Sequence, residues 1–288
     1  MIENVLRVYR YARLRRPKRL GWEISDEKEI IEALGSLGIP VQDVVVRVDQ
    51  YKDYFDRAGY STRYPTYYPQ SIAEKSLEHF VAQHLLQMNA TDVYVDIASE
   101  GSPAPEIYQR LYGCRTYAQD LSYEPGLHGN RIGSDAASIP WPAGAASKMA
   151  LHCSFEHFEG ASDSGFIREA ARVLCVGGKI VIVPLYLASR YAVATDLLAS
   201  RANGVRFERD ALVMAVRGWG NRHGRFYDAP HLASRVLGVT KELIFSILRI
   251  VNAKEVDGTV HARFALVGTR IESSGERSRQ SSDRRAAR

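Results

Sequence analysis

The chain has 288 residues, 45% hydrophobic and 25% charged, the balance of a globular protein able to bury a full core in one large domain or one domain with an appendage. Three cysteines, Cys114, Cys153 and Cys175, are too few and too scattered for a disulfide framework or a metal knot, so reduced thiols in a cytoplasmic protein are expected and no metal. The formal charge of +5 sits on the ends: seven basic residues against Glu3 in 1–20, and five arginines against three acids in 271–288, leave 21–270 at −3, a poor match for the basic groove that nucleic acid demands.

Residues 2–16 read as a helix with Ile2, Val5, Leu6, Tyr9 and Leu14 on one side and arginines elsewhere, stopped by Pro17. Such a segment either lies on the anionic inner face of a membrane as a peripheral contact or packs its apolar side on the body. No apolar stretch follows it, so a secretory signal is not expected. The longest apolar run, Ile180 to Ala188, is too short to span a bilayer and contains Pro184.

Ser25 to Leu37 reads as a second helix, N-capped by Ser25 and ended by Gly35 and Gly38. Val41 to Val48 is β-like. The stretch 51–68 is unusually aromatic; its rings either stack on a flat ligand or seal an arm against the core. Ser71 to Gln87 is an amphipathic helix burying Ile72, Leu77, Phe80, Val81, Leu85 and Leu86.

Next comes a strand, Asp92–Ile97, running into the small-residue turn Ala98–Pro103. A second strand, Thr116–Ser122, carries Asp120 near its end. Gly133-Ser134-Asp135-Ala136 follows, with a short edge strand expected around Arg131-Ile132. Lys148–Ser154 is a fourth strand, closing on Phe155-Glu156-His157. A helix over 163–174 and the turn Gly177-Gly178 lead into the apolar run Lys179–Pro184.

Beyond Pro184, Asp210–Val216 and Pro230–Leu237 look helical and flank a Gly- and Arg-rich loop, 217–227. Lys241–Ile250 reads as a further apolar helix. Ala253–Val256, Asp257-Gly258 and Thr259–Arg270 read as a β-hairpin on its tight Asp-Gly turn. The Ser/Arg-rich tail after Ile271 has a disorder-type composition.

The ordered set between Asp92 and Pro184 resembles the class I S-adenosylmethionine-dependent methyltransferases over roughly half the chain. The resemblance implies an α/β fold with a doubly wound, mostly parallel seven-stranded sheet that ends in an antiparallel hairpin. An N-terminal helical and aromatic extension (1–69) would precede a methyltransferase domain (70–271) with an acceptor-side insert near 190–238, and a tail (272–288) would follow. It implies S-adenosylmethionine as cofactor and a small-molecule, sugar or lipid-linked acceptor, most readily an oxygen nucleophile of polysaccharide biosynthesis.

Residue by residue, the resemblance makes Asp96, Ala98, Ser99 and Gly101 the first-strand wall of the cofactor pocket, although Ala98, Ser99, Gly101 and Ser102 serve where the family usually has three alternating glycines, and Glu100 takes a position commonly held by glycine. Asp120, 19 residues after Gly101, would accept the vicinal ribose hydroxyls, with Leu121 against the adenine. Asp135 and the backbone N–H of Ala136 would read the adenine edge, and Cys153 would approach the methyl-bearing end. His157 is a candidate general base. Tyr64, Tyr67, Tyr68, His223, Arg225 and Tyr227 are candidate acceptor contacts.

Two other readings compete. A nicotinamide dehydrogenase wants Gly-x-Gly-x-x-Gly after the first strand, which this chain lacks. A non-catalytic relative that keeps the fold for partner binding is suggested by the altered glycine turn and Glu100.

Overall fold

In the computed structural model, residues 26–196, 199, 204–216 and 218–273 are described. The expected basic helix at 2–16, Arg217 and the tail beyond residue 273 lie outside them.

The chain starts with helix α1 (Glu27–Ser36), whose N-cap is Asp26: its carboxylate accepts from the backbone N–H of Lys28 and Glu29. Strand β1 (Val41–Val44) is shorter than the run that suggested it, because Val48 already opens α2 (Val48–Ala58). A short turn of helix, α3 (Tyr60–Arg63), precedes α4 (Ile72–Leu86).

The β/α half-fold follows as read from sequence: β2 (Val93–Ile97), α5 (Ala104–Tyr112), β3 (Arg115–His128), β4 (Arg131–Gly133), β5 (Ala146–His152), α6 (Ser162–Val173) and β6 (Leu174–Val183). The three-residue β4 is the short edge strand expected. It pairs in parallel with Ala118–Asp120, and the distal end of β3 then turns back to meet it through Gly126–His128. That return explains why β3 outruns the predicted Thr116–Ser122. Gly133 is obligatory there, since a Cβ would lie 1.8 Å from the Glu124 carbonyl oxygen.

A smaller sheet holds β7 (Ala192–Thr195), β8 (Leu212–Ala215) and β9 (Gly224–Phe226), in the order β8-β7-β9. The segment 210–216, expected to be helical, is therefore a strand. The helix expected at 230–237 is present as α7 (Ala229–Leu232) and a following π turn (Ala233–Leu237). Leu243–Ile250 is strand β10, not a helix, and pairs antiparallel with β11 (Phe264–Arg270). The terminal hairpin thus exists, but its first arm is β10; Ala253–Val256 is a helical turn, α8, in the connection. A run of eight residues with six apolar ones does not distinguish a buried strand from a buried helix by periodicity, and here pairing to both β1 and β11 decides.

The main sheet has the order β1-β10-β11-β6-β5-β2-β3-β4. From β10 to β4 this is the anticipated seven-stranded, mostly parallel sheet with β11 antiparallel to both neighbours; β1 adds an eighth strand, parallel to β10. Alternation along each strand divides the core between the two faces. Val95, Ile97, Met149 and Leu151 pack with Phe166 and Ile167 of α6. Tyr94, Ala150, Val181 and Ala265 face Leu77 and Phe80 of α4, Ile107 and Tyr108 of α5, and Tyr51 and Tyr54 of α2. The same alternation puts Asp96 and His152 on the α4 side, at the carboxyl ends of their strands.

Candidate functional site

Chain order reverses between β2 and β5, because β2–β4 build the sheet one way and β5–β6 the other. Open α/β sheets place ligands beyond the strand ends at such a switch point. A cavity of about 740 Å³ opens there, within the size range of small-molecule sites.

Its wall is laid down by successive strand ends: Asp96, Ile97 and the turn residues Ala98, Ser99, Glu100 and Ser102 after β2; Gln119, Asp120 and Leu121 on β3; His152, Cys153 and Ser154 after β5. The turn is drawn tight against β3. Ala98 N–H donates to Gln119 Oε1 (3.2 Å), Ser99 N–H to the Gln119 carbonyl (3.0 Å) and Glu100 N–H to Asp120 Oδ2 (2.9 Å). To make it, Ala98, Glu100 and Gly101 take positive φ (51°, 30° and 79°). Of the five non-glycine residues with positive φ among those described, four line this cavity: Tyr68, Ala98, Glu100 and Cys153. Left-handed backbone costs a side-chain-bearing residue about 1–3 kcal/mol, so this clustering marks the cavity as the place where the fold tolerates strain.

Asp120 is buried, with Oδ1 accepting from the backbone N–H and hydroxyl of Ser122 (both 2.8 Å) and Oδ2 from Glu100 N–H alone. One carboxylate oxygen keeps spare accepting capacity. Asp96 is 1% exposed; Tyr94 hydroxyl donates to Oδ1 (3.0 Å) and Oδ2 has no hydrogen-bond partner. Burial pushes its carboxyl up to about 7, against the hydrogen bonds that lower it and helped by the charge of Asp120. His152 Nε2 lies 3.5 Å from Asp96, but burial pulls the imidazole down to about 3, so it stays neutral and forms no ion pair.

Helix α4 contributes a residue pair that sequence reading passed over. Lys75 lines the cavity and its ammonium contacts both oxygens of the wholly buried Glu78 (3.0 and 3.1 Å). Burial by itself lowers the Lys75 ammonium's pKa; the Glu78 carboxylate more than reverses that. An acid three residues after a lysine, inside the apolar face of a helix, was the available signal.

The opposite wall comes from the Phe155–His157 turn and the loop leading into β9. His157 Nδ1–H donates to the His223 carbonyl (2.5 Å) and His223 Nδ1–H to the Glu156 carbonyl (3.1 Å), a reciprocal clasp between the two segments. Glu159 and Arg222 pair across the same wall at 2.6 Å. Behind it, the Cys153 thiol contacts Glu156 Oε1 (3.2 Å), and Glu156 Oε2 is buried without a partner.

Most residues singled out from sequence converge here. Asp96, Ala98, Ser99, Asp120, Leu121, Asp135, Ala136, Cys153, His157, His223, Tyr67 and Tyr68 all line the cavity, while Gly101 shapes the turn without lining it. Leu121 is 76% exposed, an apolar surface left open at the rim.

Three candidates fall elsewhere. Tyr64 is outside the wall, beside Glu106 and Arg110. Arg225, 0% exposed on its side chain, is locked to Asp163 (2.8 Å) and Glu208 (2.5 Å). Tyr227 donates its hydroxyl to the same Asp163 (2.8 Å). Both belong to the pillar joining the small sheet to α6, not to an acceptor contact. Likewise Tyr51, Tyr54 and Tyr60 of the aromatic arm are core residues. Among the described residues no cluster of metal-ligating side chains occurs, and no helix is long and apolar enough to cross a membrane.

No protein-family model and no curated protein sequence matches the chain. Solved structures do. The 1,6-didemethyltoxoflavin-N1-methyltransferase of Burkholderia thailandensis, bound to its substrate and S-adenosylhomocysteine, aligns over 81% of this chain and 94% of its own at 11% identity and a TM-score of 0.50. Human N-acetylserotonin methyltransferase in complex with S-adenosylmethionine aligns over 85% of this chain and 64% of its own at 13% identity and a TM-score of 0.43. Strand order, switch-point cavity and the first of these alignments give one conclusion: the chain has the fold of the class I S-adenosylmethionine-dependent methyltransferases.

Proposed function

We propose that the protein is an S-adenosylmethionine-dependent methyltransferase acting on a small-molecule acceptor, with oxygen as the methylated atom. The carrying observation is the switch-point cavity in which the strained turn 98–102 is tied to Asp120, a strand-end acid with spare accepting capacity.

The residues present fit the cofactor. Asp120 would accept the ribose hydroxyls, the exposed Leu121 would cover the adenine, and Asp135 with Ala136 N–H would read the adenine edge. Asp96, a buried carboxylate with an orphaned oxygen, suits the positive charge of the methionine end. Bound there, the cofactor supplies an activated methyl group. The protein's part is alignment and water exclusion, which carry much of the rate in an in-line displacement. Tyr67, Tyr68, His157 and His223 would meet the acceptor, and His157 would take the proton of a hydroxyl nucleophile.

On the acceptor, a sugar or lipid-linked hydroxyl is our leading candidate, and a peripheral membrane contact through residues 1–20 would serve a lipid-linked one. The competing reading, a non-catalytic scaffold, draws on Ala98 and Glu100 in place of glycines. Calorimetric titration with S-adenosylmethionine separates them. The wild type should bind and Asp120→Ala should lose roughly tenfold or more in affinity, as expected for removing a charged hydrogen-bond acceptor. No binding by the wild type would leave the scaffold reading standing.

A further inference from the structure

The acceptor end of the cavity has an unusual charge balance. Its two cationic side chains are both matched within the protein: Lys75 by Glu78 and Arg222 by Glu159. Asp96, Glu100, Asp120 and Asp135 add further carboxyl groups on the side of the wall proposed for the cofactor. His223 is 1% exposed and held down to about 4 by burial and by Arg225, and His152 is likewise neutral. Apart from His157, the proposed base, whose Nε2 lies 3.6 Å from Glu156, the cationic side chains of the described wall are therefore already paired with carboxylates.

One acceptor atom is instead left waiting. Because His223 Nδ1–H is spent on the Glu156 carbonyl, the lone pair of the neutral ring resides on Nε2. That nitrogen is buried and has no hydrogen-bond partner. The ring cannot turn away from the deficit: the His157–His223 clasp fixes the backbone on both sides. An unmet buried acceptor is costly, and a ligand O–H or N–H that meets it gains what the apo protein lacks.

We propose that the acceptor end takes a molecule bearing an O–H or N–H donor and no negative charge, that His223 Nε2 orients it by accepting that hydrogen, and that carboxylate or phosphate groups are excluded from this end. The idea rests on the methyltransferase reading and narrows it: a sugar or lipid-linked acceptor would present its neutral hydroxyl here and keep any phosphate outside.

The test uses the full-length protein saturated with S-adenosylhomocysteine and four matched probes, phenol, anisole, benzoate and phenyl phosphate, titrated by saturation-transfer NMR. Phenol should bind saturably, and the other three roughly tenfold or more weakly, the worth of one hydrogen bond to a buried acceptor. His223→Leu should erase the preference of phenol over anisole while His223→Gln, which keeps an acceptor, should retain it. Unchanged affinity of both variants for S-adenosylhomocysteine certifies their fold. Equal binding of benzoate or phenyl phosphate, equal binding of anisole, no binding of phenol, or indifference to His223→Leu would each overturn the proposal. Failure of S-adenosylhomocysteine itself to bind would instead overturn the methyltransferase reading beneath it.

Discussion

Asp96 concentrates the site's electrostatics in one residue. It sits on the α4 face because β2 alternates, and there the Tyr94 hydroxyl serves Oδ1 while Oδ2 has no hydrogen-bond partner. Its carboxyl, ordinarily near 3.8, is held at about 7. A group whose folded-state value is raised favours folding when protonated: that contribution is complete below 3.8 and lost as pH rises through about 7. A displacement of this size corresponds to an upper bound on the order of 4 kcal/mol. Asp96→Asn should therefore be more stable than the wild type at pH 8, with the gain shrinking toward pH 4, in urea denaturation at the two values. The same substitution should weaken S-adenosylmethionine binding, and wild-type affinity should fall as pH drops through 7, because the protonated acid no longer complements a cation. A destabilised Asp96→Asn at pH 8 would refute the burial argument.

The loop into β9, with Asn221, Arg222 and His223, forms one side of the site only because the small sheet β8-β7-β9 behind it is pinned to α6. The pin is Asp163, 0% exposed, which receives Arg225, Arg235 (2.9 and 2.8 Å) and the Tyr227 hydroxyl. Arg225 also donates to the carbonyls of Phe158 and Gly160, bracing the loop after His157. Arg225→Met should cost about 3–5 kcal/mol, because removing one partner leaves buried charge uncompensated. Adding Asp163→Leu should recover part of that loss, and a double-mutant cycle by thermal melts reads the coupling. Additive losses would show the two residues to be independent. Sequence alone placed Arg225 and Tyr227 near the site but could not see this pin. Spacing reports neighbours along the chain, whereas these partners lie 62 and 64 residues from Asp163. It did single out Asp120 and Asp135, which the structure puts in the cavity wall because that is where the β/α units end. β10 was misread because Ile244, Phe245, Ile247 and Leu248 satisfy a helix as well as a strand until the pairing partner is known.

At the scale of the whole molecule, the residues before 70 do more than extend a methyltransferase core. β1 closes the sheet edge beside β10, the Val46 N–H donates to Asn252 Oδ1 (2.8 Å) while its carbonyl accepts from Asn252 Nδ2 (2.9 Å), and Tyr51, Tyr54 and Tyr60 pack in the cluster containing Leu77, Phe80, Tyr94 and Tyr108. A hydrogen-bonded line then leads from the Tyr54 hydroxyl through Tyr60 (3.2 Å) to His79 Nδ1 (2.7 Å), and the His79 ring stands against His152 on the cavity wall (centroids 4.5 Å apart). The aromatic density at 51–68 was plain in the sequence, but its split between core and cavity was not, since Tyr60 and Tyr67 are the same residue type and both reach His79 of α4, yet Tyr60 is buried in the core and Tyr67 lines the cavity. Each buried tyrosine is worth about 1.5–3 kcal/mol of apolar burial, so losing three of them together with a strand approaches the whole stability of about 5–15 kcal/mol expected for a domain. A chain beginning at residue 70 should consequently lose its cooperative thermal transition and near-ultraviolet dichroism and should bind the dye ANS. Retention of a melt like that of the full chain would mean that this segment decorates the fold and does not complete it.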